Sequence, residues 1–434
     1  MDIGDVEAEY WDDASGEALR PELVREARKV EMQEFVKHQV YIKVPLQECW
    51  DVTGKPPIGV RWVDINKGDQ VNPEYRSRLV AQEVKHDKSK DMFAATPPIE
   101  AKRILFSLFA SQLGCSDKRW MLDFIDVCRA YFHALVKRKV YIRLPSEDRR
   151  SASGKCGRLR RAMYGTRDAA QNWEAAYSDM LEKFGFKRGM SSACVFWHPE
   201  LDMRLVVHGD DFTVLGPECS LDKFREHVNT CMQVKCKARI GGGGNESTRI
   251  LNRVRQDTRD GLEYEADQRH AEIVIRDMGL KADSKGVGTP GLQDLALQDM
   301  QVPAGCDETK YTVVAARVNY LSQDRPDIQY AVKEICRKMS QPDKEDWARI
   351  KRLARYLKGE PRGAQKNDGQ PLPSDVEVWV DAGFLVVGGQ VHPWSWYDVS
   401  QALFEDVECD VRHGGVVVGR GGILRNGEGG VREA

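Results

Sequence analysis

The chain has 434 residues, 41% of them hydrophobic and 30% charged, enough for two to four domains at about 150 residues each. Lys and Arg total 65 against 67 Asp and Glu, a formal net charge of -2, which excludes the uniformly basic profile of a histone-like protein and leaves room for a local basic face. No apolar run reaches the roughly 18–20 residues of a membrane span, the first residues are acidic rather than leader-like, and the eleven cysteines show no CxxC or Cys/His ligand spacing. The expectation is a soluble intracellular protein, cytoplasmic or nuclear, with reduced thiols, no zinc site and no membrane partner.

Residues 1–20 carry seven Asp/Glu against one Arg and read, with residues 21–22, as a disordered acidic leader. Residues 23–36 have the period of a helix, and residues 40–44 and 60–65 read as strands separated by the turn Lys55-Pro56-Pro57. A strand over 79–84, a helix over 100–113 and a strand over 121–127 continue an α+β pattern. The sharpest helix follows Tyr164-Gly165, where Ala169, Trp173, Ala176, Tyr177, Met180, Leu181 and Phe184 fall at steps of three and four and Gly185 stands at the expected C-cap. Residues 205–207 and 212–215 then form a hairpin with His208-Gly209-Asp210-Asp211 at its tip, and Ser220 caps a helix carrying Phe224 and Val228. The run Gly241 to Gly244 reads as a flexible connector, because Asn245-Glu246-Ser247 follows where a phosphate loop needs Gly-Lys-Ser/Thr. A mixed segment to 280, a polar stretch to about 309 and a helical pair over 313–357 come next. Residues 411–434 contain eight glycines, so little packed structure is expected past Val387.

Two acidic clusters carry the candidate chemistry. Asp126 closes an apolar run, and Asp210-Asp211 stand between two runs of Val and Leu. Carboxylates brought together at the ends of apolar strands repel one another in a low dielectric, a cost that bound divalent cations remove while promoting phosphoryl transfer. Oxygen-only ligands favour Mg2+, with Mn2+ as the alternative, over Zn2+. Asp-Asp in a tight turn is also explained by turn chemistry alone, and both readings stand. The surrounding charge favours the first. From Lys137 to Asp168 eleven Lys/Arg face three acids, a local balance of +8 that suits a polyanion, whereas a solvated loop would interleave its charges. Lys137, Arg138, Lys139, Arg158, Arg160 and Arg161 are the candidate nucleic-acid contacts, and an upstream set, Arg76, Arg78, Lys85, Lys88 and Lys90, suits a triphosphate or a phosphate backbone.

These residues resemble those of the reverse transcriptases in copia-type retrotransposon Pol polyproteins. Tyr75-Arg76-Ser77-Arg78-Leu79-Val80-Ala81 is similar to the family's Y-K-A-R-L-V-A, Asp126-Val127-Cys128-Arg129-Ala130-Tyr131 to D-V-K-T-A-F, and Val140-Tyr141-Ile142-Arg143-Leu144-Pro145 to V-Y-M-x-x-P. Tyr164-Gly165-Thr166-Arg167-Asp168-Ala169 through Trp173 resembles Y-G-L-K-Q-A-P-R-x-W, and His208-Gly209-Asp210-Asp211 falls where the family has Y-V-D-D. Asp324 to Ala331 and Trp347 to Gly359 resemble later motifs, so the similarity runs in order from about 40 to 360. The resemblance implies a right-hand polymerase of class α+β: fingers, a palm with an antiparallel sheet, and a thumb, followed by a helical connection. It implies that Asp126, Asp210 and Asp211 hold two Mg2+ ions. Arg76, Arg78, Tyr131, Tyr164, Gly165 and Arg167 would bind the dNTP, with Tyr131 under the sugar rejecting a 2′-hydroxyl or, more plainly, packing in the palm; Trp173 reads as core. His208 and Gly209 would lie on the primer side.

The implied function is RNA-directed DNA polymerase, using dNTPs on a primed RNA or DNA template; the resemblance specifies no oligomeric state. The alternative is a catalytically inactive relic that binds nucleic acid through the basic stretch. His208-Gly209 replaces Tyr-Val, and Asp168 places an acid where the family has an amide, near a substrate polyanion. Val378-Trp379-Val380-Asp381-Ala382 resembles the opening strand of a ribonuclease H domain, with Asp381 as first ligand, and the similarity then stops. One such ligand cannot form a two-metal site, so ribonuclease H activity is expected to be absent. The domain reading is 1–22 leader, 23–240 fingers and palm, 241–310 thumb-like, 311–362 helical connection and 363–434 disordered remnant, a piece of a longer polyprotein.

Overall fold

The computed structural model describes residues 9–84, 92–112, 120–151, 154–190, 192–241, 247–250, 253–258, 261–291 and 308–368, and short strands between 375 and 420. Lys85, Lys88, Lys90, Asp381 and the run after Gly241 lie outside the described residues. No helix among the described residues is long and apolar enough to cross a membrane.

The chain opens with a small hairpin, β1 (Tyr10–Trp11) against β2 (Ala18–Leu19). Disorder was the expectation for this stretch, and hydrogen bonding corrects it. The Asp12 carboxylate accepts backbone N–H groups of Ala14 at 2.7 Å, Ser15 at 2.9 Å and Asn66 at 2.7 Å, and Asp13 accepts that of Asp64 at 2.9 Å. Burial raises the Asp12 pKa, but those N–H donors outweigh it and hold the group below the usual carboxylate value. Acidic composition suggested a solvated tail; here the acids satisfy backbone donors of a distant strand.

Helix α1 (Pro21–Lys37) follows, with Pro at its start and Lys37 in its last turn, both favourable there. Then come β3 (Tyr41–Pro45), α2 (Leu46–Thr53), β4 (Val60–Asn66) and β5 (Tyr75–Ala81). The strands flanking Lys55-Pro56-Pro57 are not partners. β3 pairs with a later strand and β4 with β5, and the short helix α2 went unread because eight residues give little more than two turns of period. Along β5, Ser77, Leu79 and Ala81 are buried, while Arg76 and Arg78 fall on the opposite face, as the two-residue alternation of a strand requires.

After α3 (Ile99–Gln112) the chain enters β6 (Trp120–Val127), then β7 (Tyr141–Ile142), β8 (Lys155–Leu159), α4 (Ala169–Phe184), β9 (Lys187–Arg188), β10 (Val195–His198), β11 (Met203–His208), β12 (Asp211–Pro217), α5 (Glu218–Cys231) and β13 (Val234–Ile240). Six of these strands form one antiparallel sheet in the order β13-β6-β12-β11-β10-β9, and β3-β8-β7 form another. The larger sheet is buried on both faces. Met121, Ile125, Phe212 and Val214 pack with Trp173, Tyr177 and Leu181 of α4 and with Leu221, Phe224 and Val228 of α5, whereas Leu122, Phe124, Val206 and Leu215 meet Leu105, Phe106 and Phe109 of α3. Gly185 takes the left-handed C-cap of α4 with φ 113. Ser220 does not cap α5: Pro217 is the N-cap and Ser220 is buried inside the helix, because the chain leaves the strand directly into the first turn.

Further on, β14 (Ser247–Ile250), β15 (Arg253–Thr258), β16 (Gly261–Glu265) and a later strand β17 (Ala364–Asp368) make a four-stranded sheet. Between them lie α6 (Gln268–Asp277), α7 (Glu308–Ser322), α8 (Gln329–Cys336) and α9 (Lys344–Gly359). The helical pair read from periodicity is thus three helices, since a 3-10 turn at Pro326–Ile328 interrupts it. The expected break at 310 falls inside one core: Ala271, Val274 and Met278 of α6 pack with Tyr311, Val318, Ile335 and Leu353. Likewise β17, placed in the remnant, pairs with β16. Past Val387, where little structure was expected, Val407–Arg412 pairs with Gly415–Arg420, which also pairs with Asp375–Trp379; backbone pairing in a sheet needs no amphipathic period.

Candidate active site

The centre of the large sheet carries the acidic residues. β6 and β12 pair antiparallel with Asp126 directly opposite Asp211, so the two side chains emerge side by side on one face. β11 and β12 close as a hairpin with His208 opposite Asp211, leaving Gly209 and Asp210 as the turn, and Gly209 has φ 65, the region a tight hairpin turn favours. The turn is pinned twice: Val127 donates its N–H to the Asp210 carbonyl at 2.8 Å, and the Trp173 indole donates to the Gly209 carbonyl at 2.8 Å. Trp173 is buried and stacks near-parallel on Phe212, so the residue read as core also locks the acidic tip.

A residue absent from the sequence reading completes the centre. The Lys237 ammonium lies 2.8 Å from an oxygen of Asp126 and 2.8 Å from one of Asp211. Desolvation pulls its pKa down, but the hydrogen bonds to both carboxylates prevail and raise it. Asp210 sits exposed at the tip, and its carboxyl is pushed up, first by desolvation from the protein around it, then by the negative charges of Asp211 and Asp126. The structure therefore brings two of the three expected carboxylates into contact with one cation. Among the described residues no group of three or more His, Cys, Asp or Glu is placed to hold a metal ion. The Asp126–Asp211 pair offers the hard oxygen donors that Mg2+ or Mn2+ takes, and the position between them is spanned by Lys237.

Cations and aromatics lie within electrostatic reach of these acids. The Arg78 guanidinium lies over the Tyr164 ring at 4.7 Å from its centroid, a cation–π contact, and Tyr164 meets Tyr131 edge-on at 4.8 Å. Burial raises the Tyr131 pKa and Asp210 raises it further; burial also raises that of Tyr164, against the pull of Arg78. Lys67, a second residue the sequence reading missed, belongs here. Desolvation lowers its pKa, and Arg76 and Arg78 lower it further, while Asp126 acts in the opposite direction. Arg76 is likewise lowered by burial and by Arg78. Lys67 and Arg76, both held down in part by the charge of Arg78, form with it a cluster of three cations suited to a polyanion. Lys67 was hidden because it lies in the turn that precedes the fingers-like motif and reaches its neighbours only through the β4–β5 pairing.

Gly165 sets the approach of this segment to β5. It has φ 82, and a Cβ there would fall on the Ala81 carbonyl oxygen, while Ala81 donates its N–H to the Tyr164 carbonyl at 2.8 Å. Gly165→Ala is expected to destabilise the protein by about 2–3 kcal/mol, through left-handed backbone strain plus the clash. Urea unfolding checks this; an unchanged midpoint would show that the segment shifts freely.

Residues 47–241 match the family model described as reverse transcriptase (RNA-dependent DNA polymerase). The chain is 26% identical over 378 residues to the retrovirus-related Pol polyprotein from transposon RE2 of Arabidopsis thaliana, covering 81% of this chain and 25% of the relative. It is 24% identical over 375 residues to that from transposon TNT 1-94 of Nicotiana tabacum, covering 80% of this chain and 27% of the relative. Residues 47–241 are thus a match to a reverse transcriptase domain, and the chain is similar to transposon Pol polyproteins. It spans about a quarter of the length of these curated relatives.

Within this reverse transcriptase domain the basic stretch is less available than its count implied. Arg138 donates to Glu83 at 2.7 Å and to Asp168 at 2.8 Å, Arg158 to Glu48 at 2.7 Å, Arg160 to Gln39 at 2.8 Å, and Arg161 to the His133 carbonyl at 3.1 Å. Lys137 and Lys139 are exposed. Glu48 and Glu83 come from far upstream, so a balance summed along the chain could not see them. Arg167 donates its backbone N–H to Glu83 at 2.8 Å. The acid expected to disturb a substrate, Asp168, is buried. Burial raises its pKa, but Arg138 outweighs this and holds it below the usual value, and Asn172 adds a hydrogen bond at 3.0 Å. Its charge is spent inside the protein.

Proposed function

We propose that this chain is an RNA-directed DNA polymerase that joins dNTPs to a primer 3′-hydroxyl on an RNA or DNA template. The observation that carries the reading is the in-register pairing of Asp126 with Asp211 within electrostatic reach of Lys67, whose own neighbours are Arg76 and Arg78: carboxylates for a divalent cation beside cations for a triphosphate. Bound there, Mg2+ or Mn2+ would acidify the attacking hydroxyl and neutralise developing phosphate charge. The protein's own residues supply the positioning on which phosphoryl transfer depends. Arg76 and Arg78 attract and orient the triphosphate, Tyr164 steadies Arg78, and the Trp173 hydrogen bond keeps the acidic turn fixed. In this reading the sheet bearing Asp126 and Asp211 is the palm and the β4–β5 hairpin belongs to the fingers; the helices after residue 311 form the connection.

Primer extension on an RNA template with the purified chain tests the proposal. Template-dependent extension with Mg2+ is expected. Salt-dependent primer-template binding with no extension at any Mg2+ or Mn2+ concentration would establish the inactive relic instead. Tyr131→Ala is expected to admit ribonucleotides, lowering discrimination between dNTP and NTP by about tenfold or more, the scale of a lost contact of about 1.4 kcal/mol. Competition of matched dNTP and NTP in single-nucleotide extension measures it; unchanged discrimination would leave Tyr131 a packing residue only.

A further inference from the structure

The Lys237 side chain is aimed at the acidic pair by an irregularity in the sheet. Along β13, Lys235 pairs with Asp126 and Cys236 with Ile125, but the next partner, Phe124, is taken by Ala238. Lys237 is the extra residue at this register shift, and a bulge of this kind redirects one side chain out of the alternation of its strand. The redirected ammonium reaches one oxygen of each facing carboxylate, at 2.8 Å and 2.8 Å. Without a positive charge there, two carboxylates in register on neighbouring strands would repel.

We infer that Lys237 is an internal counter-ion that competes with a divalent cation for the Asp126–Asp211 pair. The inference rests on reading those two residues as the metal-holding carboxylates. In the bridging position the ammonium fills the space between the oxygens and holds the carboxylates in place while no metal is bound. Its single charge leaves the pair one negative charge in excess, so a divalent ion is the better match. The lysine stem is flexible and its side chain is 36% exposed, so the ammonium can swing out to water when the ion enters. Apparent metal affinity is thereby reduced by the fraction of molecules in which Lys237 still bridges.

Mn2+ titration followed by the paramagnetic resonance signal of free Mn2+ tests this on the full chain. Lys237→Met is expected to bind Mn2+ about tenfold more tightly than the unaltered protein, Lys237→Arg no more tightly, and Lys237→Met combined with Asp211→Asn to lose the gain. A second measurement needs no variant: acetylation of Lys237 in the unaltered protein, read by mass spectrometry, is expected to speed up when Mn2+ is added. Equal Mn2+ affinity of Lys237→Met and the unaltered protein would overturn the inference, as would Mn2+-independent acetylation should the methionine variant not fold. Primer extension separates the failures: equal affinity in an enzyme that extends primers removes only the competition by Lys237, whereas no Mn2+ binding and no extension removes the metal reading as well.

Discussion

Asp211→Asn is expected to reduce primer extension at least about a hundredfold, the scale of removing one preorganised electrostatic stabiliser, with little change in folding stability. The substitution keeps the shape of the side chain and the pairing of Asp211 with Asp126, and its remaining oxygen can still accept from Lys237, now 2.8 Å away. Losing one partly exposed ion pair while relieving carboxylate repulsion changes stability by no more than about 1 kcal/mol. A large loss of turnover without loss of fold therefore isolates the charge. Asp126→Asn is expected to behave alike. Single-turnover extension with each variant, beside thermal melting, provides the check; extension that survives either change would refute the assigned role.

Asp123→Ala is expected to have the largest effect on stability, about 3 kcal/mol, within the range for breaking a buried pair. Asp123 is fully buried on β6. One oxygen accepts from Arg239 Nε at 2.6 Å and from Arg225 Nη2 at 3.2 Å, and the other accepts from Arg239 Nη2 at 2.8 Å. Alanine would leave two guanidinium groups facing an apolar void between β13 and α5, although Arg239 would retain Asp222 at 2.6 Å. Its hydrogen bonds to Asp123 are the first cause of its raised pKa, so the partnership is strongly felt. Asp123→Asn should lose less, because the amide oxygen still accepts. Urea unfolding followed by tryptophan fluorescence measures both; a shift below about 0.5 kcal/mol, the range of an ordinary surface substitution, would show that the arginines find water instead.

Asp123 and Asp126 show where sequence reading reaches its limit. Both are acids in the same apolar strand, three residues apart, and strand alternation puts them on opposite faces. One is enclosed by two arginines and serves stability; the other opens toward Lys237 and the cation cluster. The ordered motifs marked Asp126 as the candidate for chemistry, and the sheet places it opposite Asp211. Nothing local distinguished the partners, because Arg225, Arg239 and Lys237 lie about a hundred residues downstream.

The same separation holds for the basic stretch. Counting along the chain found a charge excess with Asp168 already included, and the tertiary structure sets two further acids against it, Glu83 beside Arg138 and Glu48 beside Arg158. By itself, the sequence determined what depends on neighbours in the chain: the strand carrying Asp126, the hairpin with Asp210 and Asp211 at its tip, the α4 period and its Gly185 cap, and the motif order that resembles a reverse transcriptase. Only the tertiary structure decided which charges meet. Ion pairs and hydrogen bonds join residues brought together by strand register and helix packing, and a one-residue bulge at Lys237, invisible in composition or period, is what places a cation between the two carboxylates.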